Sequence, residues 1–186
     1  LDMGAYDNTL GSFDSPVPVT SLTGTSKTNS VYLSWSTVKA SLGSSTDAAD
    51  IKYLVYQGDS QVGSSVSTTY TVTGLDNGTA YTFSVSAQDT SNGETGAKSK
   101  AVSITPKYRG PKWYVASSGG SALADTSTNA DLGSIGSTIN HLTSAIEIAS
   151  AGDTIIMQKG THTGIKNIRI NLNDSKSLVI MGDPNY

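Results

Sequence analysis

Apolar and polar residues alternate most cleanly at 31–35 and at 81–89. Val31, Leu33 and Trp35 share one face of the first stretch. Phe83, Val85 and Ala87 share one face of the second, with Thr82, Ser84 and Ser86 opposite. A period of two marks a half-buried strand. Ile51, Tyr53 and Val55 repeat it, with Lys52, Leu54 and Tyr56 on the other side. Shorter stretches extend the pattern: 17–22, framed by Pro16 and Pro18; 61–63, after the Gly58-Asp59 turn; 70–72; and 101–105. Residues 23–30 then read as a polar turn, and 37–50 as a longer polar connection. Seven short strands at this spacing suit an antiparallel sandwich. The predicted core is Trp35, Tyr53, Val55, Tyr70, Val72, Leu75, Tyr81, Phe83, Val85, Val102 and Ile104.

Between the fifth and sixth strands the chain runs Gly74-Leu75-Asp76-Asn77-Gly78-Thr79-Ala80-Tyr81. A Leu placed before a Tyr across an Asn-Gly turn has the spacing of a tyrosine corner. With the Trp35 strand, this pattern resembles a fibronectin type III domain over residues 15–107. The resemblance implies structural roles for Trp35, Leu75 and Tyr81, with the Tyr81 hydroxyl bonded to backbone near Leu75 or Asp76. It implies a scaffold and names no ligand.

After Pro106 the character changes. Residues 108–111, Tyr-Arg-Gly-Pro, form a stiff linker, and 112–116 form a short strand led by Trp113 and Tyr114. A Ser/Gly/Asp-rich loop follows over 117–138. Leu142, Ala145, Ile146 and Ala149 then fall on one helical face, predicting a helix over 141–149. Gly152 stops it at a position that tolerates positive φ. Residues 154–157 read as a buried strand; Ile165, Ile168 and Ile170 lie in an extended segment, and 178–181 in another. The order of strand, loop, helix, Gly-Asp turn and apolar strand is similar to the opening of a right-handed parallel β-helix of the pectate-lyase type. Its core is Ala149-Ser150-Ala151-Gly152-Asp153-Thr154-Ile155-Ile156, then Gly160-Thr161. In that family the helix caps the open end, and each coil needs a neighbour to bury its interior. The resemblance implies a cap and the first coil or coils over 112–186, an incomplete β-helix whose last interior residues include Val179 and Met181. Residues 2–7 are similar to the ending of a preceding β-helix domain, so 1–14 is read as tail and linker. The fold class expected is mainly β: a seven-stranded sandwich, then the start of a parallel β-helix with one short capping helix.

Charge and composition narrow the chemistry. The 186 residues carry 12 Lys and Arg against 15 Asp and Glu, a net charge of -3, which argues against nucleic acid as a partner. The chain has no Cys, which rules out disulfides and thiolate metal sites. No apolar run reaches the roughly 20 residues that span a bilayer. No signal peptide is read at Leu1, and the chain is expected to lie inside a longer protein.

The acids outside the sandwich are Asp125, Asp131, Glu147, Asp153, Asp174 and Asp183. Asp153 and Asp183 read as turn formers. Asp125 and Asp131 are candidates for Ca²⁺ but lack the dense acidic spacing of a calcium loop. His141 and His162 form no metal-binding pattern, and no serine lies in a nucleophile elbow. Trp113 and Tyr114 are candidates for stacking on a sugar ring, with burial beneath the helix the stronger reading. No catalytic, cofactor or metal residue is assigned; any Ca²⁺ would belong to the longer protein. The function expected is a non-catalytic piece of a secreted or cell-surface bacterial protein, with a polysaccharide or surface glycan as partner. The alternative is part of a polysaccharide lyase or glycoside hydrolase whose active site lies beyond residue 186.

Overall fold

A computed structural model describes residues 15–38, 50–121, 129–164 and 176–185. Two compact units divide it. One comprises Leu1–Thr25, Tyr32–Val72 and Tyr81–Ile104; the other comprises Ser26–Val31, Thr73–Ala80 and Thr105–Tyr186. The described residues are mainly β, with one short helix.

Seven strands make two sheets. β1 (Thr23–Lys27), β2 (Ser30–Ser34) and β5 (Thr69–Thr73) lie in the order β1-β2-β5. β3 (Ile51–Gln57), β4 (Ser60–Ser65), β6 (Tyr81–Asp89) and β7 (Val102–Ile104) lie in the order β4-β3-β6-β7. The second sheet is antiparallel throughout, with Val55 opposite Val85 and Tyr81 opposite Ile104. Val31, Leu33, Val55, Phe83 and Val85 are fully buried, as their alternation requires. Trp35 meets Tyr53 edge to face at 5.4 Å, and the Tyr53 hydroxyl accepts the Val38 N–H at 3.0 Å.

The first strand differs from expectation. Residues 17–22 are not a ladder strand, and 23–27, read as a turn, form β1. Pro16 and Pro18 have no N–H to give a ladder, and Ser21 sits at φ 57. β1 escaped detection because its inward residues are Gly24 and Ser26, which carry no hydrophobic signal. A Cβ on Gly24 would lie 2.6 Å from Ile104, so a larger residue does not fit there.

Other assignments also shift. Leu54, Ser84 and Ser86, expected to face outward, are buried. β3 and β6 are the two central strands of their sheet, and the 94–99 segment adds bonds beside them: Gly96 N–H to Ala87 O, and Ser99 N–H to Val85 O, both 2.8 Å. Tyr70, Tyr81, Val102 and Ile104 are only half-buried rather than core residues. β5 is an edge strand and β7 is a three-residue edge strand, so neither is covered on all sides.

In the second unit, β8 (Lys112–Val115), β9 (Thr154–Met157) and β10 (Val179–Gly182) form a parallel sheet in the order β10-β9-β8. Register is kept across it: Trp113 pairs with Ile155, and Ile155 with Ile180. Helix α1 (Leu142–Ile148) lays Leu142, Ala145 and Ile146 into a cluster with Trp113, Val115, Leu132, Ile139 and Ile155. The Lys176 ammonium donates to the carbonyls of Ile146 and Glu147, both at 2.9 Å, serving the helix's unpaired C-terminal end. β10 is an edge, and Val179, Ile180 and Met181 are 54%, 37% and 40% exposed. The register aligns Ile180 with the buried Ile155 and Met181 with the buried Ile156, while Val179 stands opposite Thr154. The extended segment at Ile165, Ile168 and Ile170 lies outside the described residues, as do residues 1–14.

Candidate functional site

The predicted structural residues fall in separate places. Trp35 is 6% exposed and Leu75 5% exposed. Leu75 is held by Asn29, whose carbonyl accepts the Leu75 N–H at 3.0 Å and whose Nδ2 donates to the Leu75 carbonyl at 3.0 Å. Asn29 sits at φ 50, a left-handed position that Asn tolerates, and the sequence reading did not single it out. Tyr81 is half-buried, with its ring 6.4 Å from that of Phe83. α1 ends at Ile148, with Ala149 already extended, so the helix stops before Gly152; Gly152 lies in the turn that follows at φ 89, and its N–H donates to the Ser177 carbonyl at 2.7 Å.

Among the described residues, the carboxylates of the second unit form no cluster of three with each other or with histidine. Asp153 is buried: its Oδ2 accepts the Trp113 indole N–H at 2.7 Å and the Ser150 N–H at 2.8 Å. It therefore ties the first strand of the parallel sheet to the turn after the helix. Asp131 accepts from the Asn77 amide at 2.7 Å. Asp183 accepts the Asn185 N–H at 3.0 Å, which is a turn bond. Glu147 is exposed on α1. Asp125 and Asp174 lie outside the described residues. Among the described residues, no three His, Cys, Asp or Glu side chains gather as a metal site.

Trp113 is 3% exposed, so its ring is packing and not a stacking platform. Tyr108 meets it edge to face at 5.4 Å and donates its hydroxyl to the Lys112 carbonyl. Burial pushes the Tyr108 phenol above its ordinary range, and the nearby Tyr114 and Asp153 add to the shift. A hollow of about 270 Å³ lies beside this pair, with Lys107, Arg109 and Asn129 among its walls. Asn129 is already engaged there, donating to Ser137 Oγ at 2.6 Å and accepting the Asp131 N–H at 3.1 Å. A second hollow, about 310 Å³, lies at the ends of β9 and β10, beside His162 and Asp183. The His162 Nε2 bonds the Gln158 carbonyl at 2.8 Å.

The outer face of the β1-β2-β5 sheet offers a different kind of surface. Gly24, Val31, Leu33 and Val72 take the inward positions, which leaves Thr23, Thr25, Lys27, Tyr32, Ser34, Thr71 and Thr73 outward. Tyr32 is 37% exposed on the central strand. The Thr23 and Ser34 hydroxyls lie 2.9 Å apart across the β1-β2 pair. The sequence reading placed no site here, because a Ser/Thr-rich strand carries no motif. The signal lay in Tyr32, an aromatic out of phase with Val31 and Leu33.

Residues 15–105 match the family described as Fibronectin type III domain. The chain is 38% identical over 107 residues to a poly(3-hydroxybutyrate) depolymerase of Ralstonia pickettii, covering 58% of this chain and 19% of that protein. It is 40% identical over 90 residues to exoglucanase B of Cellulomonas fimi, covering 48% of this chain and 8% of that protein. It is 43% identical over 77 residues to chitinase C of Streptomyces lividans, covering 41% of this chain and 11% of that protein. The chain thus spans less than a fifth of the length of each. No described helix is long and apolar enough to cross a membrane.

Proposed function

We propose that this chain is a non-catalytic accessory part of a secreted or cell-surface multidomain bacterial protein that works on a polymer. Residues 15–107 act as a fibronectin type III spacer or attachment module. A linker at 108–111 leads into the cap and first coils of a parallel β-helix from 112 onward, a carbohydrate-associated architecture. The observation that carries this reading is the sandwich segment shared with three proteins named for breaking down polymers. The in-register parallel stack of β8, β9 and β10 under α1 supports the β-helix part. Burying each strand against the next, with a helix over the apolar end, is how such a stack gains stability.

A second reading is favoured by those same names. The longer protein would itself be a polysaccharide lyase or glycoside hydrolase, with its acid–base pair outside these residues. The test is a turnover assay of the 186-residue chain on pectin, alginate, xylan, cellulose and chitin, with and without Ca²⁺. The expected result is no product. Reproducible turnover that disappears on replacing Asp131, Glu147, Asp153 or Asp183 would overturn the non-catalytic reading, provided the variant still folds.

A further inference from the structure

We infer that the turns at 28–29 and 75–78 form a docking surface whose partner is this chain's own segment 106–110, together with the loop at 130–131. Residues 108–111 are then a built joint and not a loose tether. The inference goes beyond the accessory role proposed above and does not depend on it. Residues 26–31 and 73–80 lie inside the family match at 15–105, yet they fall in one compact unit with 105–186. Hydrogen bonds tie these pieces together. The Gly78 N–H donates to the Pro106 carbonyl at 2.8 Å, and the Tyr108 N–H to the Ala130 carbonyl at 2.7 Å. The Arg109 N–H donates to Thr28 Oγ1 at 2.9 Å, and Asn77 Nδ2 donates to Asp131 Oδ1 at 2.7 Å. A loose spacer would give these groups to water. It would also leave its side chains exposed, whereas Pro106 is fully buried and Tyr108 is half-buried against the Trp113 cluster.

The turns are shaped for this contact. Asn77 Oδ1 accepts the Asn29 N–H at 2.9 Å. A backbone N–H only donates and an ionised carboxylate only accepts, so the Asn77 amide lies one way round, with its NH2 toward Asp131. Asn29 in turn holds Leu75 through both its carbonyl and its Nδ2. Gly78 sits at φ 85, and a Cβ on it would lie 3.2 Å from the Ala130 Cβ. Backbone conformation and close approach both favour glycine there. The Asn-Gly pair read as a turn signal therefore also serves the contact, Asn77 by its side chain and Gly78 by having none. Thr28 Oγ1, which accepts from Arg109, also lies 3.4 Å from the Gly110 carbonyl. A hydrogen bond to a charged acceptor is the stronger kind, so the Asn77–Asp131 pair is the point at which to break the joint.

The experiment is limited trypsin digestion of the 186-residue chain, with cuts after Lys107 and Arg109 followed by mass spectrometry. A synthetic peptide of residues 103–114 gives the rate for the same bonds when nothing holds them. Cleavage of a folded chain follows the population of the locally opened state. The parent should be cut at both bonds about a hundredfold or more slower than the peptide. Asn77→Leu removes both side-chain bonds at similar volume and should speed these cuts about tenfold. Asp131→Ala breaks the same contact from outside the family match, which guards against a folding defect in the turn, and should act alike. Because both remove one shared bond, the double variant should be cut no faster than Asn77→Leu alone. Val66→Ser, at a site 84% exposed in the other unit, should be cut like the parent. Circular dichroism melts and slow hydrogen exchange at 83–87 confirm folding of each variant. Parent cutting at the peptide's rate, folded single variants cut no faster than the parent, or a double variant accelerated by the product of the two single effects would each overturn the inference.

Discussion

The sandwich and the parallel sheet both bury the two faces of their central strands, and they differ in what fills the second face. In the sandwich, β3 and β6 each have neighbours on both sides, and residues 53–55 and 83–87 are buried without a break. Their large apolar residues alternate inward, while Leu54, Ser84 and Ser86 occupy the other buried face. In the parallel sheet the strand β9 reads Thr-Ile-Ile-Met, and Ile155 and Ile156 are both buried, on opposite sides of the strand. α1 joins Ile155 in one apolar cluster, and lateral strands supply the rest of the cover. The lesson lies at β10, where the cover stops and three apolar residues are exposed. A sandwich completes its core within about 100 residues, whereas a stacked coil always leaves its last neighbour to be supplied. Exposed edges of that kind invite pairing with another strand.

The chain's two tryptophans make the comparison measurable, because Trp35 lies in the sandwich and Trp113 in the parallel unit. The largest expected effect is on the sandwich. Trp35→Ala should cost about 3–5 kcal/mol, as truncation of a buried aromatic does. Urea denaturation followed by circular dichroism measures it, while Trp113 fluorescence should report an unchanged parallel unit. A loss below about 1 kcal/mol would place Trp35 outside the essential core.

Asp153→Ala probes the other region. It leaves the Trp113 indole and the Ser150 amide without their shared acceptor, at a cost of about 2–4 kcal/mol. Trp113 fluorescence in urea should show the shift. Asp153→Asn, which keeps an acceptor oxygen, should lose less. Equal losses for both would mean that the carboxylate's charge, not its acceptor geometry, holds the turn. The smallest effect is expected at Tyr81, where Tyr81→Phe should cost about 0.5–1.5 kcal/mol if its hydroxyl closes a tyrosine corner. Identical urea midpoints for variant and parent would remove that role.

What could be read from the sequence follows the same divide. Strands with large inward residues, such as β2, β3 and β6, announce themselves through Val31, Leu33, Tyr53, Val55 and Phe83. β1 does not, since Gly24 and Ser26 sit inward, while the misleading alternation of Val17 and Val19 falls where prolines forbid a ladder. The helix was legible because Leu142, Ala145, Ile146 and Ala149 keep a helical spacing that no strand would use. The bond from Trp113 to Asp153 joins residues far apart in the chain, and no local pattern encodes it. The Tyr32 face was hidden for another reason. Threonine and serine on an outward face satisfy β-propensity alone, and only the folded sheet shows which aromatic shares their side.

The most direct test of the contrast between a closed core and an open stack is hydrogen exchange of the 186-residue chain, resolved by mass spectrometry. Peptides covering β6, β9 and β10 are compared at neutral pH. Amides of β6, paired on both sides and carrying the buried core, should exchange slowest. β9, flanked by β8 and β10, should follow, and β10 should exchange fastest because one of its edges has no partner strand among the described residues. Protection of residues 179–182 equal to that of 81–89 would contradict the account, since it would mean that the β10 edge is already covered.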